Sequence, residues 1–132
     1  MKRRLQAIRR LVAVQDQLRR LAEWKLADID RQIAEVAAAQ ADLDRFVDRS
    51  HPISGMLLGV VTAQRRRLGV RAAQLKEARV GQAERVLEAS RSFKLAENIE
   101  GRVDEEDRRH REKAELAELI ESALQPRGAD SH

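Results

Sequence analysis

The residues that most often carry catalysis or bind metals are sparse in this 132-residue chain. It has no cysteine and no tyrosine, and its three histidines, His51, His110 and His132, lie too far apart to share a helical metal-binding motif. No glycine-rich phosphate-binding sequence is present either. Because the many carboxylates are typical of solvated helix faces, we expect a protein that is not an enzyme and needs no cofactor or metal.

The remaining residues with functional potential are apolar and basic side chains, which bind other molecules rather than transform them. Apolar residues crowd around a short break in the sequence at residues 50–55, and two facing helices could not bury all of them. The candidate contact residues of this cluster are Phe46, Ile53, Met56, Leu57, Leu58, Val60 and Val61. The cluster forms either a small plug that closes the end of a helical structure or an exposed docking surface.

Further candidate contacts lie in the first 25 residues. Trp24, the sole tryptophan, falls off the apolar pattern of its neighbours, so it either anchors a partner or lies flat over aliphatic side chains. The same stretch carries eight basic and two acidic residues, of which we single out Arg9 and Arg10. This charge could meet nucleic acid or anionic lipid, but no aromatic residues interleave for base stacking, so an acidic protein partner is favoured.

Long helices must position these candidates. Charged residues make up 36% of the chain and aromatic residues 2%, a composition typical of a coiled coil rather than a compact globule. The only strong interruption before residue 125 is Ser50-His51-Pro52-Ile53-Ser54-Gly55, and proline cannot continue a helix without losing a hydrogen bond. We therefore predict an all-α fold in which two long helices form an antiparallel coiled-coil hairpin. Its parts are a helix over 2–49, a turn over 50–55 and a helix over 56–124, giving a single hairpin over 1–124, and then a disordered tail over 125–132.

Apolar residues recur every three or four positions in both helices, as in a heptad seam. The first ladder is Leu5, Ile8, Leu11, Val14, Leu18, Ala22, Leu26, Ile29, Ile33, Val36, Gln40, Leu43 and Val47. The second is Leu57, Val61, Gln64, Leu68, Ala72, Leu75, Ala78, Gln82, Val86, Ala89, Phe93, Ala96, Ile99 and Val103. Two consecutive steps of four at Leu18, Ala22 and Leu26 predict a local slip of the supercoil.

Charge and glycine placement sharpen this picture. A net negative stretch at 26–50 would face an arginine-rich stretch at 54–78, whereas the basic first 25 residues would face a nearly neutral one. The predicted second helix contains four glycines, which predict either a close approach of the backbones or a bend. They are Gly59, Gly69, Gly81 and Gly101.

The second helix should outrun the first by about 20 residues, or about 30 Å. In the charged run 104–115, we expect the ion pairs Asp104–Arg108, Glu105–Arg109 and Asp107–Arg111. Apolar spacing then returns at Leu116, Leu119, Ile120 and Leu124. No apolar run approaches the roughly 20 residues that span a bilayer, so we expect a soluble protein, and the lack of cysteine fits a reducing cytoplasm.

Two stretches resemble a known family. The basic start KRRLQAIRRLVAVQDQLRRLAE and the late segment KLAENIEGRVDEEDRRHREKAELAELI, on either side of a central turn, are similar to the flagellar export protein FliJ family and to the stalk proteins of type III secretion. The resemblance covers nearly the whole chain. Its most specific part runs from Lys94 to Ile120 and ends in E-x-x-E-L-x-E-L-I.

The resemblance implies a coiled-coil stalk of the bacterial flagellar protein export apparatus, which serves motility. Its implied partners are the export ATPase ring, the membrane-embedded export gate and the substrate chaperones that such proteins escort. The implied location is the cytoplasm, at the periphery of the inner-membrane export apparatus. Two alternatives remain: a basic coiled coil that binds nucleic acid or an anionic membrane, and a generic scaffold that self-associates weakly. None of the three readings needs a small-molecule ligand.

Overall fold

A computed structural model of the protein describes residues 2–50 and 55–125. It contains two helices, α1 (Lys2–Arg49) and α2 (Gly55–Leu124), and no strand within the described ranges. The two helices pack against each other, which confirms the predicted all-α hairpin. The second helix begins one residue before the predicted start. Residues 51–54 of the predicted turn, including Ile53, and residues 126–132 of the predicted tail lie outside the described residues.

The chain divides into two compact units, to each of which both helices contribute. In the unit Gln17–Arg91, hydrogen bonds between side chains cross from one helix to the other. They join Asp44 to Arg65 at 2.9 Å, Gln32 to Arg71 at 2.7 Å and Asp30 to Arg79 at 2.5 Å. Numbers on α1 fall as numbers on α2 rise, so the helices run antiparallel here. The acidic stretch of α1 meets the arginines of α2, as their charges predicted.

The other unit combines Met1–Asp16 with Ser92–His132. Its cross-helix ion pairs are Arg4–Glu106, at 3.3 Å, and Arg9–Asp104, at 3.8 Å. The basic start of α1 therefore faces carboxylates of the charged run, and the expectation of a nearly neutral partner stretch was wrong. The acidic run 104–107 lies just beyond the stretch 76–100, whose charges balance, and the helices align so that this run meets the start of α1.

The charged run itself follows its predicted pairing in two of three cases. Glu105 pairs with Arg109 at 2.9 Å and Asp107 with Arg111 at 3.3 Å, one helical turn apart in each case. Asp104 pairs with Arg9 instead of Arg108, since a cation on the neighbouring helix reaches its carboxylate. The side chain of Asp107 is buried, whereas the other members of these pairs are solvent-exposed. The exposed pairs contribute about 0.2–1 kcal/mol each, so they favour a register more than they stabilise the fold.

The buried face of α2 coincides with its predicted ladder. The buried side chains of this helix that belong to that ladder are Val61, Leu75, Gln82, Ala96 and Val103. Three ladder members, Leu57, Gln64 and Ala78, are nonetheless exposed. The apolar period of α2 thus located the face that packs against α1.

The face of α1 differs from its predicted ladder between Ile8 and Ala22. Leu11, Val14 and Leu18 are exposed, and the more buried positions are Val12, Gln15 and Arg19. From Leu5 to Val47 the more buried positions therefore advance by alternating steps of three and four, with no slip. A regular heptad keeps one face of α1 toward α2, even though this leaves three larger apolar side chains in solvent.

The glycines of α2 do not mark a close approach of the helices. A Cβ atom built on Gly59, Gly69, Gly81 or Gly101 would meet nothing within 4 Å. Because this space is open, the predicted close approach of the backbones was wrong. The helix runs through all four glycines without interruption. Each glycine therefore weakens α2 without a packing benefit inside the chain, because glycine is the least favourable helix residue after proline.

Replacing Gly69 by alanine should consequently stabilise the protein. Gly69→Ala is expected to raise the free energy of unfolding by about 0.5–1 kcal/mol, measured by urea denaturation followed by circular dichroism. The matched control is Ala73→Gly at an exposed site one turn later, which should lower the free energy of unfolding by a similar amount. A destabilised Gly69→Ala variant would contradict the open space found around this glycine.

Candidate functional site

The apolar cluster at the start of α2 is largely exposed. Met56 is 86% exposed and Val60 is 61% exposed, and Leu57, Leu58 and Phe46 are exposed as well. Val61 differs from the rest, because it is only 4% exposed and belongs to the contact between the helices. Among the described candidates, the arrangement fits the exposed-surface alternative better than a closed plug.

One face of α2 combines these apolar side chains with arginines. Met56, Val60, Ala63, Arg67 and Val70 follow steps of four, three, four and three, which places them along one stripe of a helix. Arg66 borders the stripe and, like the stripe residues, is exposed. We call this set of six residues the arginine-flanked face. It differs from the face of α2 that buries Val61 and Leu75.

Trp24 stands open to solvent at 75% exposure, so its ring is not covered by aliphatic neighbours, and its role as a partner anchor stays a prediction. It borders a groove whose other lining residues are Lys25, Asp28, Ile29 and Gln82. Hydrogen bonds from Arg31 and then from Gln32 lower the pKa of Asp28, and the same carboxylate raises the pKa of Arg31. Asp28 is therefore ionised at neutral pH, and the groove offers an apolar floor beside charges of both signs.

Gln82 provides a polar contact in the packed face of α2 beside this groove. Its side chain is buried, its Nε2 donates to the carbonyl oxygen of Ala22 at 3.0 Å, and its Oε1 accepts from Arg85 at 3.2 Å. The carbonyl of Ala22 lies inside α1, where the helix supplies its regular acceptor bond. The Gln82 contact is thus an additional bond, which selects one alignment of the two helices.

The two singled-out arginines of α1 have different surroundings. Arg9 pairs with Asp104 at 3.8 Å, and its side chain remains more than half exposed. Arg10 is exposed and makes no ion pair with the described residues. A partner approaching the start of α1 would therefore meet Arg10 as an available cation and Arg9 as a partly neutralised one.

A further surface was not among the sequence-predicted contacts. Asp107 is the last buried residue of α2, and every described residue from Arg108 to Gln125 is exposed. We call Arg108–Leu124 the overhang. Its exposed apolar residues are Leu116, Leu119, Ile120 and Leu124. The spacing of these residues and the greater length of the second helix were the signals in the sequence, and together they indicated an unpartnered apolar face.

No family model matches this chain, and neither a curated protein nor a solved structure matches it. Within residues 2–50 and 55–125, no helix is long and apolar enough to cross a membrane. Over the same residues, no group of three or more histidine, aspartate or glutamate side chains is placed to hold a metal ion.

The role of Gln82 can be tested by replacing its amide. Gln82→Leu should raise the free energy of unfolding by about 1 kcal/mol, because an apolar side chain gains burial and the Ala22 carbonyl keeps its helical bond. Gln82→Ala should lower it, because it removes the side-chain packing. Chemical denaturation of both variants measures the change.

Exposed Gln74 on the same helix supplies the control, and Gln74→Leu should change the stability by less than about 0.5 kcal/mol. Cysteine cross-linking between the helices would report the register. If Gln82→Leu retained a single register as strictly as the parent protein, the alignment role of Gln82 would be refuted.

Proposed function

We propose that this protein is a non-enzymatic coiled-coil stalk or adaptor of a bacterial flagellar or related type III protein export apparatus. It acts in the cytoplasm, at the periphery of the inner-membrane export machinery. The resemblance of the segments 2–23 and 94–120 to the FliJ family supports this proposal. The observation that carries it is the continuation of α2 beyond its last buried residue, Asp107, into an exposed helix with apolar side chains.

The exposed apolar side chains of the overhang are suited to contact with a protein partner. Leu116 and Ile120 are one turn apart, and Leu119 and Leu124 extend the apolar area. Helices that are apolar on one face bury that face against another element, and α1 does not extend along the overhang. The export ATPase ring is the partner that the family resemblance supplies for this surface.

The charges near the overhang add selectivity to this contact. Residues 112–121 contain four glutamates and one lysine, whereas the start of α1 carries Lys2, Arg3, Arg4, Arg9 and Arg10. A ring that binds both segments would need basic groups opposite the overhang and acidic groups opposite α1. Such complementarity mainly raises the association rate and rejects wrong partners, and it weakens as salt screens the charges.

The export gate and the substrate chaperones would use other surfaces in this proposal. Trp24 and its groove provide an aromatic anchor with neighbouring charges, which is the kind of residue that dominates protein interfaces. The exposed cluster with Phe46 and Leu58 provides a second apolar surface. The protein would thus offer separate contact regions to separate partners.

The contact with the ATPase can be tested with leucines of the overhang. Leu116→Ser/Leu119→Ser should weaken binding to the purified export ATPase by at least about tenfold, since two exposed apolar anchors are lost from an interface. Helix content in the hairpin should persist, because Leu116 and Leu119 are 57% and 67% exposed and lie beyond the last buried residue of α2. Calorimetric titration and ATP hydrolysis rates provide the measurements.

The matched control is Leu87→Ser/Leu95→Ser, which changes two leucines of similar exposure, 55% and 62%, outside the overhang. This control should bind the ATPase as the parent protein does. If the parent protein bound neither the export ATPase nor the cytoplasmic part of the export gate, the export proposal would fail.

A self-associating scaffold is the second candidate, and the same exposed leucines of the overhang favour it. Two copies could pair their overhangs and complete a helical bundle. Sedimentation equilibrium across micromolar concentrations distinguishes this candidate, since a strictly monomeric mass excludes it. The nucleic-acid alternative has less support, because Arg4 and Arg9 already pair with carboxylates of α2.

A further inference from the structure

We propose that the arginine-flanked face of α2 binds the surface of an anionic lipid bilayer. This inference goes beyond the export role and does not depend on it. It rests on the apolar stripe of α2, on the charges beside that stripe, and on the ion pairs that nearby acidic side chains of α1 already form.

The stripe has the form of an interfacial amphipathic segment. Met56, Val60 and Val70 are 86%, 61% and 52% exposed, and the stripe from Met56 to Val70 is about 21 Å long at 1.5 Å per residue. Such a segment can lie in the headgroup region with its apolar side chains at the acyl boundary. The remaining apolar face of α2 packs against α1 and keeps the segment helical.

The charge of this part of α2 has a single sign. No acidic residue occurs between Gly55 and Glu77, whereas Arg65, Arg66, Arg67, Arg71 and Lys76 are basic. Two of these arginines are occupied, since Arg65 pairs with Asp44 and Arg71 donates to Gln32. Arg66 and Arg67 make no hydrogen bond or ion pair with the described residues. Two cations are thus available beside the apolar stripe.

The acidic residues of α1 near this end do not cancel these cations. Asp44 is bound to Arg65 and Asp42 is bound to Arg45. Asp48 is the one acidic residue in 42–49 without such a pair, and it is followed by Arg49. The stretches 42–49 and 55–71 therefore carry a positive net charge, which an anionic surface attracts.

The same features disfavour a second copy of this chain on the stripe. A parallel two-fold contact through the stripe would bring Arg66 and Arg67 of one copy next to those of the other, and like charges in contact are unfavourable. An antiparallel contact would bury Arg67 of each copy against the apolar residues near Val60 of the other, where α2 has no acidic residue to pair with it. Phospholipid headgroups instead offer anionic oxygens along the whole stripe. Arginine stems also extend readily from an apolar boundary to a charged headgroup.

A single-tryptophan reporter tests the contact directly. In Trp24→Phe/Met56→Trp, the emission should move to shorter wavelength on addition of vesicles of phosphatidylglycerol and phosphatidylcholine. It should not move with pure phosphatidylcholine vesicles. The parent protein provides the internal control, because Trp24 is remote from Met56 in the same unit and its emission should stay unchanged.

The arginines are tested by vesicle sedimentation of the full chain. Arg66→Gln/Arg67→Gln should weaken partition into the anionic vesicles by roughly 25-fold, since each arginine near such a surface contributes about fivefold. Arg102→Gln/Arg108→Gln is the matched control, because it removes the same charge from exposed residues of α2 outside the face. It should retain the parent partition. Helix content by circular dichroism should be unchanged in both.

Three outcomes would overturn the inference. They are a failure to bind anionic vesicles at low salt, equal partition into uncharged vesicles, and a blue shift in Trp24→Phe/Leu11→Trp without one in the Met56 reporter. The last result would assign lipid binding to the basic start of α1. None of these bears on the export ATPase, and loss of ATPase binding in the overhang variant would leave this inference untouched.

Discussion

The structure depends on one geometric constraint, which is that two helices alone can bury only one face each. The buried apolar residues are Leu5, Val61, Leu75, Ala96 and Val103, a thin line of contact rather than a core. Every other apolar residue in 2–50 and 55–125 stays wholly or partly in solvent. The exposed surfaces at the start of α2, around Trp24 and along the overhang follow from this constraint, because no third element exists in the described residues to cover them.

Polar contacts compensate for the low specificity of such a thin contact line. A line of alanine, valine and leucine can slide by a heptad with little loss of burial. Gln82 opposite Ala22 and the cross-helix arginines each contribute little free energy, yet all of them are satisfied together in one alignment. The same arginines determine which cations remain for other molecules, since Arg65 is engaged while Arg66 is available.

Local pattern was sufficient to predict the helices, and long-range pairing was not. The break near Pro52 and the apolar period gave the extents of both helices and the buried face of α2, because these depend on residues a few positions apart. Leu11, Val14 and Leu18 were placed wrongly, since hydrophobicity alone does not reveal that the partner helix requires an unbroken heptad. Asp104 was misassigned for a similar reason, as its cation comes from the other helix.

The candidate contacts followed the same division between local pattern and long-range pairing. Spacing left the exposure of Trp24 and Met56 open between two alternatives, because it does not show which neighbours cover a side chain. Val61 was placed both in the apolar ladder and among the candidate contacts, and its burial agrees with the ladder.

The uninterrupted continuation of α2 into the overhang affects the free energy of binding a partner. An isolated segment of this length would be marginally helical in water, because starting a helix is unfavourable while extending one is not. Here the hairpin has already supplied the start, and the overhang only propagates it. A binding partner therefore meets a segment whose backbone order is largely in place, and less of the association free energy is lost to ordering it.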